Sequence, residues 1–360
     1  MDSKGFTVAV FSGELKSRLS MTTKCINSIN EQTHLNLQKI LVNAGTPPHQ
    51  TSELIDAGVS LEDWAILDFP IDCMDIKNNN WSAHKWNGSA ALNIADKEFF
   101  FALNDDDFLA SDFFGRISHL LQKYPKAKTA MGLRVPYYHD SMNFGQKVLP
   151  RNKEGTVRPE CEPGINLIRE IFFRGNLGYG PSLGFQPVCN TELVREIGSD
   201  FFYKGFYPDC GPYFQLVSRF DTVFDSEAYM YWGLHKNQDH KKWEENNYWF
   251  WAHEKVYSDF MKFNVEVFKH YLPDHTRDVK NIEKYFKTRI VSTSLFSISN
   301  RYFTRNFLTA PNKSNERQKP TKFPLFQHLR IILKRPLTFL KFTLGLSRSK
   351  FKSLIRPQRF

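Results

Sequence analysis

Apolar residues in the first third of the chain come in short, nearly continuous runs. Thr7–Phe11, Lys39–Val42, Trp64–Leu67 and Phe99–Leu103 are four or five residues long, too short for helices. Turn formers bound them, among them Ser12-Gly13-Glu14 and Asn43-Ala44-Gly45-Thr46-Pro47-Pro48. Such runs predict strands buried on both faces, the habit of parallel sheets. Between them the period changes. Met21, Cys25, Ile26 and Ile29 recur at helical spacing within a helix expected from about Ser20 to Gln32. Gly88 to Ala95 is small, Ala-rich and helix-prone, and another helix opens at Ser111-Asp112. Strand–helix alternation of this kind predicts an α/β fold, a mostly parallel sheet flanked by helices.

Further along the pattern loosens. Lys128 to Arg174 reads as irregular, with turns around Pro150-Arg151-Asn152 and Pro159-Glu160-Cys161. A second organised block follows from Gly178 to His240, then an aromatic-rich helix from Lys241 to about Tyr271, carrying Trp243, Trp249 and Trp251. Pro311 to Pro320 has the composition of a linker.

Length, composition and charge add to this picture. The 360 residues suit one large domain or two smaller ones with ample core. Aromatics reach 15%, with 33 Phe, which fits aromatic-lined pockets, a lipid-facing surface or simply core. The five cysteines are widely spaced with no CxxC, so neither a zinc site nor a disulfide framework is indicated. No secretory apolar region follows Met1 and no stretch is long enough to span a bilayer, so a reducing, cytoplasmic setting is expected. The net charge of +10 is not spread evenly: Asn312 to Phe360 holds 13 Lys and Arg against the single acid Glu316. The rest of the chain is close to neutral, so the excess speaks of a partner for the tail and not of fold.

The chemistry-bearing segment is Phe99-Phe100-Phe101-Ala102-Leu103-Asn104-Asp105-Asp106-Asp107. Three adjacent carboxylates repel one another unless a cation neutralises them, and open α/β sheets bind ligands at the carboxyl ends of their strands. Hard divalent ions take one or two carboxylates together with substrate phosphates. A metal–diphosphate site is the functional reading. A solvated turn or a helix N-cap is the structural one.

Further motifs, in order, carry a resemblance. Lys24-Cys25-Ile26-Asn27-Ser28-Ile29-Asn30-Glu31-Gln32, Ile40-Leu41-Val42-Asn43-Ala44-Gly45-Thr46, Asn87-Gly88-Ser89-Ala90-Ala91-Leu92-Asn93 and the acidic cluster precede Gly178-Tyr179-Gly180-Pro181-Ser182-Leu183-Gly184-Phe185. Pro208-Asp209 and Tyr231-Trp232-Gly233-Leu234-His235 follow. Over roughly Phe6 to His240 the chain resembles GT-A-fold inverting glycosyltransferases of the large bacterial polysaccharide and O-antigen type. The resemblance implies a GT-A, Rossmann-like domain over residues 1–240, with a donor half to about 125 and an acceptor half beyond. Residues 241–310 would form a helical extension and 311–360 a basic amphipathic tail.

It also implies roles. Phe11, Ser12, Asn43, Lys85, Asn93 and Asp105 would contact a nucleotide-sugar donor, with Asn43 standing where the family usually has an acid beside the nucleobase. Asp106, Asp107 and His235 would hold Mn²⁺ or Mg²⁺. The register of the acidic motif is open, with Asn104 or Asp105 at its first position, and Asp106 is the metal ligand in both readings. Gly180, Ser182 and Tyr207 would face a glycan or lipid-linked acceptor. Asp209 would take the proton from the acceptor hydroxyl; the family's usual Glu before it is Pro208 here. A sugar nucleotidyltransferase and a non-catalytic carbohydrate- or nucleic-acid-binding protein stand as alternatives. The first would want a Gly-rich, Lys/Arg-bearing phosphate loop after the first strand, which is not seen. No specific nucleic acid is expected.

The tail interleaves Phe323, Phe326, Leu329, Ile332, Phe339 and Phe342 with Lys and Arg, and Pro324, Pro336 and Pro357 divide it into short pieces. This pattern suits an anionic membrane surface, placing a cytoplasmic enzyme peripherally on the inner membrane face. Deleting Asn312–Phe360 is expected to abolish co-flotation with anionic liposomes; unchanged flotation would sink the membrane reading.

Overall fold

The computed structural model describes residues 3–13, 15, 18–43, 51–68, 90–170, 187–197, 216–217, 219–236 and 280. The four apolar runs all become strands: β1 Phe6–Ser12, β2 Leu37–Asn43, β3 Trp64–Asp68 and β4 Phe99–Asn104. They lie side by side in the order β3-β2-β1-β4, every pair parallel. Their continuous hydrophobicity follows from burial on both faces. In β4, Phe99, Phe101 and Leu103 join one core with Val8 and Val10 of β1, while Phe100 joins a second core with Ala9, Ile40 and Val42.

Helix α1, Leu19–Asn30, and helix α3, Phe113–Lys123, press on the first of these cores. (The short α2, Thr51–Asp56, lies between β2 and β3.) Phe6 meets Phe114 with ring centroids 5.0 Å apart, and Phe101 meets Phe113 at 5.7 Å. A buried Phe contributes about 1.5–3 kcal/mol. The Phe-rich composition of this half is therefore core: Phe6, Phe99, Phe100, Phe101, Phe113 and Phe114 are all 2% exposed or less.

The sheet continues beyond β4 through a segment the sequence pattern left irregular and through the second organised block. The segment read as irregular from Lys128 opens with β6, Ala127–Tyr138, one of the two longest described strands. It runs parallel to β10, Asp221–Leu234, and the short β9, Val188–Asn190, is wedged antiparallel between β4 and β6. Beyond β10 the two-residue β5, Phe108–Leu109, pairs antiparallel with it; β7, Asn143–Phe144, adds to β6, and β8, Cys161–Pro163, adds to β10. Helices α4, Gly164–Ile168, and α5, Thr191–Ile197, complete the described elements. The result is a mixed, mostly parallel ten-stranded sheet with helices packed on it, in agreement with the expected class.

Lys85, Gly180, Ser182, Tyr207 and Asp209 lie outside the described residues, as do the expected helical extension apart from residue 280 and the whole basic tail. Among the described residues no helix is long and apolar enough to cross a membrane.

Strands β6 and β10 are mutually out of register between Asp225 and Tyr229, where the extra residues push the Ala228 carbonyl toward β6. Gly132 accepts that approach. A Cβ there would lie 2.1 Å from the Ala228 oxygen and 2.6 Å from the Phe113 ring. Gly132→Ala is expected to destabilise the protein by about 1–3 kcal/mol, the usual cost of overpacking, as read by equilibrium urea unfolding.

Candidate active site

The acids occupy a tight turn at the carboxyl end of β4. The Asp107 N–H closes it onto the Asn104 carbonyl at 3.1 Å, and the chain then enters β5 against β10. Helix α1 holds this crossing in place. Ser28 Oγ accepts the Leu109 N–H at 3.1 Å, and Gln32 donates to the Ala110 carbonyl at 2.7 Å while accepting the Phe114 N–H at 3.3 Å. Ser28 and Gln32, both within the Lys24–Gln32 motif quoted from the sequence, thus clasp the segment that presents the acids.

The three carboxylates leave this turn in different directions. Asp105, 1% exposed, turns back to the end of β1 and the start of α1. It accepts the Gly13 N–H at 3.0 Å, Arg18 Nη1 at 3.0 Å and Thr22 Oγ1 at 3.4 Å. Asp107, 2% exposed, turns the other way and accepts the Gly233 N–H of β10 at 2.9 Å. Burial, joined by the neighbouring Asp106 charge, pushes the Asp107 carboxyl well up, against the pull of Arg134. Burial likewise pushes Asp105 up, with Arg18 opposing and Asp106 adding to the rise.

Asp106, between them, is the one presented outward. Its Oδ2 lies 3.2 Å from His235 Nε2, and its side chain is 15% exposed against 3% for His235. Burial would raise its carboxyl, but the His235 hydrogen bond and the Arg18 and His235 charges outweigh burial and hold it below the ordinary value. Of the three carboxyls, Asp106 is therefore the one whose ionised form its surroundings favour over burial. Behind it, burial and the three acids, Asp105 foremost, push the Cys25 thiol well up, so it stays an S–H donor to the Asn104 carbonyl at 3.5 Å.

A second histidine, absent from the sequence reading, completes the arrangement. His139 follows β6, and its Nε2 lies 2.8 Å from the Asp106 carbonyl oxygen. Its ring stands edge-on to His235 with centroids 6.0 Å apart. Burial lowers its pKa, so the neutral ring donates to that carbonyl. Gly233 makes this closeness possible: a Cβ there would fall 1.8 Å from the Asp106 carbonyl oxygen and 2.6 Å from His139 Nε2. The glycine of Tyr231-Trp232-Gly233 was visible in the sequence; its dependence on β6 running beside β10 was not.

Four of the donor-side candidates, Phe11, Ser12, Asn43 and Asp105, fall at the carboxyl ends of the parallel strands. Ser12, Asn43 and Asp68 stand in register across β1, β2 and β3, and Phe11 stands opposite Asn104 of β4. Ser12 and Asn43 are fully buried. Asn93 belongs to the helical residues 90–94 and is exposed. Asp68 was not singled out from the sequence, yet it accepts the Asn43 amide at 2.8 Å. A carboxylate at position 43 would face another carboxylate there, which accounts for an amide where the resembled family has an acid.

Among the described residues no three His, Cys, Asp or Glu side chains are grouped to hold a metal ion. The donor set on offer is Asp106 Oδ2 with His235 Nε2. A carboxylate oxygen partly open to solvent, with an imidazole nitrogen buried beside it, fits a divalent ion whose other ligands are phosphate and water.

No protein-family model and no curated protein sequence matches this chain. Solved structures do. S. aureus TarS 1–349 superposes with a TM-score of 0.50 at 9% identity, covering 94% of this chain and 80% of that one. TarS 1–349 in complex with UDP-GlcNAc gives 0.52 at 11% identity, covering 85% and 76%. The longer TarS chain gives 0.51 at 12% identity, and there the match covers 98% of this chain but 54% of TarS.

The Asn43–Asp68 pair supplies a direct test of the strand-end electrostatics. Asn43→Asp is expected to cost about 1–3 kcal/mol of stability, the penalty for a buried group facing a like charge without its hydrogen bond. Asp68→Asn in the same chain is expected to restore most of it in urea unfolding. At these identities the likeness speaks for fold alone, and on that ground the chain is a GT-A-fold protein, built on the same scaffold as TarS.

Proposed function

We propose that the chain is a metal-dependent, inverting glycosyltransferase that moves a hexosyl group from a nucleotide-sugar donor to a hydroxyl of a glycan or lipid-linked acceptor. The observation that carries this reading is the separation of the three acids. Asp105 and Asp107 brace the turn, and Asp106 alone faces outward, charged, beside His235. A solvated turn would have no need to bury two of three carboxylates. The shared scaffold adds support, because TarS has been crystallised with UDP-GlcNAc and with UDP.

In this reading Asp106 and His235 would hold Mg²⁺ or Mn²⁺, with Asp107 behind them. Bound there, the ion would supply Lewis-acid stabilisation of the charge on the departing nucleotide diphosphate. The remaining work falls to the chain. Phe11, Ser12, Asn43 and Asp105, at the ends of β1, β2 and β4, would seat the nucleoside, with Lys85 and Asn93 further donor contacts. Gly180, Ser182 and Tyr207 would position the acceptor. Asp209 would take the proton from the acceptor hydroxyl as its oxygen attacks the anomeric carbon, giving inversion in a single displacement. The setting would be the cytoplasmic side of a membrane, reached through the basic tail.

Incubation with a panel of nucleotide sugars and Mn²⁺, scored for nucleoside diphosphate release, tests the reading. Asp106→Asn is expected to lower turnover by on the order of 100-fold or more, as losing a charge-stabilising group does. Asp209→Asn is expected to abolish transfer while donor binding stays near normal. Release by no donor in the panel would overturn the transferase, and full activity of Asp209→Asn would overturn the base.

A further inference from the structure

Tyr229, Tyr231, Gly233 and His235 fall at every second position of β10 and its continuation, so they share one face of the sheet. At one end of this row stand His235 and Asp106. At the other the row becomes aromatic. Tyr231 stacks on Phe108, with centroids 4.6 Å apart and planes 25° from parallel. Phe144 of β7 leans against both Tyr231 and Tyr137, each at 5.1 Å. Phe144 is nevertheless 59% exposed, and Met142 and Val148 beside it in sequence are 78% and 62% exposed. Met142 also holds φ at 55°, a left-handed conformation that a long side chain rarely takes. An apolar patch of this kind, continuous with a candidate catalytic site, marks a binding surface.

Its borders indicate what binds. Lys147 Nζ sits 3.7 Å above the Tyr229 ring, and the Tyr229 hydroxyl donates to Glu227. Asp225 pairs with Arg116 at 3.1 Å, and Asp140 accepts the Lys236 N–H at 3.2 Å. Lys24 Nζ lies 4.2 Å over the Phe108 ring and 3.8 Å over Tyr137. Lys24, Lys147 and Arg116 are thus matched by Glu227, Asp225 and Asp140, so the surround lacks the net positive charge that an anionic lipid surface selects. A pyranose matches it: one face of the sugar ring is a set of C–H bonds that lies on an aromatic face, and the hydroxyls at its edge meet donors and acceptors of both signs.

We infer that Phe144 and Tyr231 form a sugar-stacking subsite for the acceptor glycan, leading to the reactive position at Asp106–His235. Tyr231 precedes His235 by four residues, about 13 Å along the strand. The stacked unit is therefore a sugar set back from the hydroxyl that reacts, and the subsite selects acceptors longer than a monosaccharide. This inference rests on the transferase reading for its role, but the stacking can be tested apart from it.

The full chain is titrated separately with maltotetraose, cellotetraose, chitotetraose, phosphatidylglycerol vesicles and UDP. At least one tetrasaccharide is expected to bind and to perturb aromatic ring resonances. Phe144→Ala is expected to weaken that binding about tenfold, the worth of one stacked ring, Phe144→Trp to retain it, and UDP affinity to stay unchanged in both. The subsite is overturned if no tetrasaccharide binds, if Phe144→Ala binds as well as the parent, or if vesicles bind through Phe144 and saccharides do not. Failure of UDP to bind would count against the transferase reading and leave the saccharide arm to judge the subsite.

Discussion

Three carboxylates on consecutive residues cannot share one buried point while all are charged. The turn after β4 resolves this by sending each side chain to a different part of the fold. Asp105 goes to the Arg18 guanidinium and the Gly13 amide, Asp107 to the Gly233 amide, and Asp106 to His235. Two of the acids thereby tie the loop to strands on opposite sides, β1 and β10, which are four places apart in the sheet. The third is held at the junction. Much of the local architecture serves this division, including the Ser28 and Gln32 clasp behind the turn and the glycine that lets β10 touch it.

This division also explains how far the sequence could be read. The strands β1 to β4 are buried on both faces, so their residue types are dictated by burial alone and stand out as apolar runs. Strand β6 has a different pattern because its neighbours impose special demands. Gly132 yields to the Ala228 carbonyl, and Pro136, lacking an N–H, falls where β9 no longer pairs, since β9 reaches only Thr129 and Ala130. A glycine and a proline inside one strand break the apolar run, and the segment reads as a loop. His139 was hidden for a related reason. In sequence it belongs to His139-Asp140-Ser141, a polar turn, and it meets Asp106 because Tyr138 ends level with Leu234 across the β6–β10 pair.

The acidic cluster was legible as a site candidate, and Asp106 as its centre, because the residue types and their place after an apolar strand carry the chemistry. The separate duties of Asp105 and Asp107 were not legible. They depend on partners about 90 and 126 residues away in the chain, and no local pattern encodes which carboxylate a distant amide will take. Asn43 shows the same limit from the other side. The sequence revealed an amide in place of an expected acid, while the reason for it, Asp68 in register on β3, required the sheet.

A scaffold can survive at 9–12% identity with TarS because these constraints bear on few side chains. Strand interiors need only remain apolar and of suitable volume, which many sequences satisfy. What cannot drift freely are positions where backbone meets backbone, as at Gly233 and Asp106, and positions where one polar group answers another. Such polar positions are coupled: Asn43 donates to Asp68, so a change at one bears on the other. The chemistry of the strand ends can therefore be altered without disturbing the sheet beneath, while the aromatic face of β10 can vary independently of the acids because it lies farther along the same strand. In the proposed reading, donor-side and acceptor-side recognition would be separable features of one frame, joined where His235 meets Asp106.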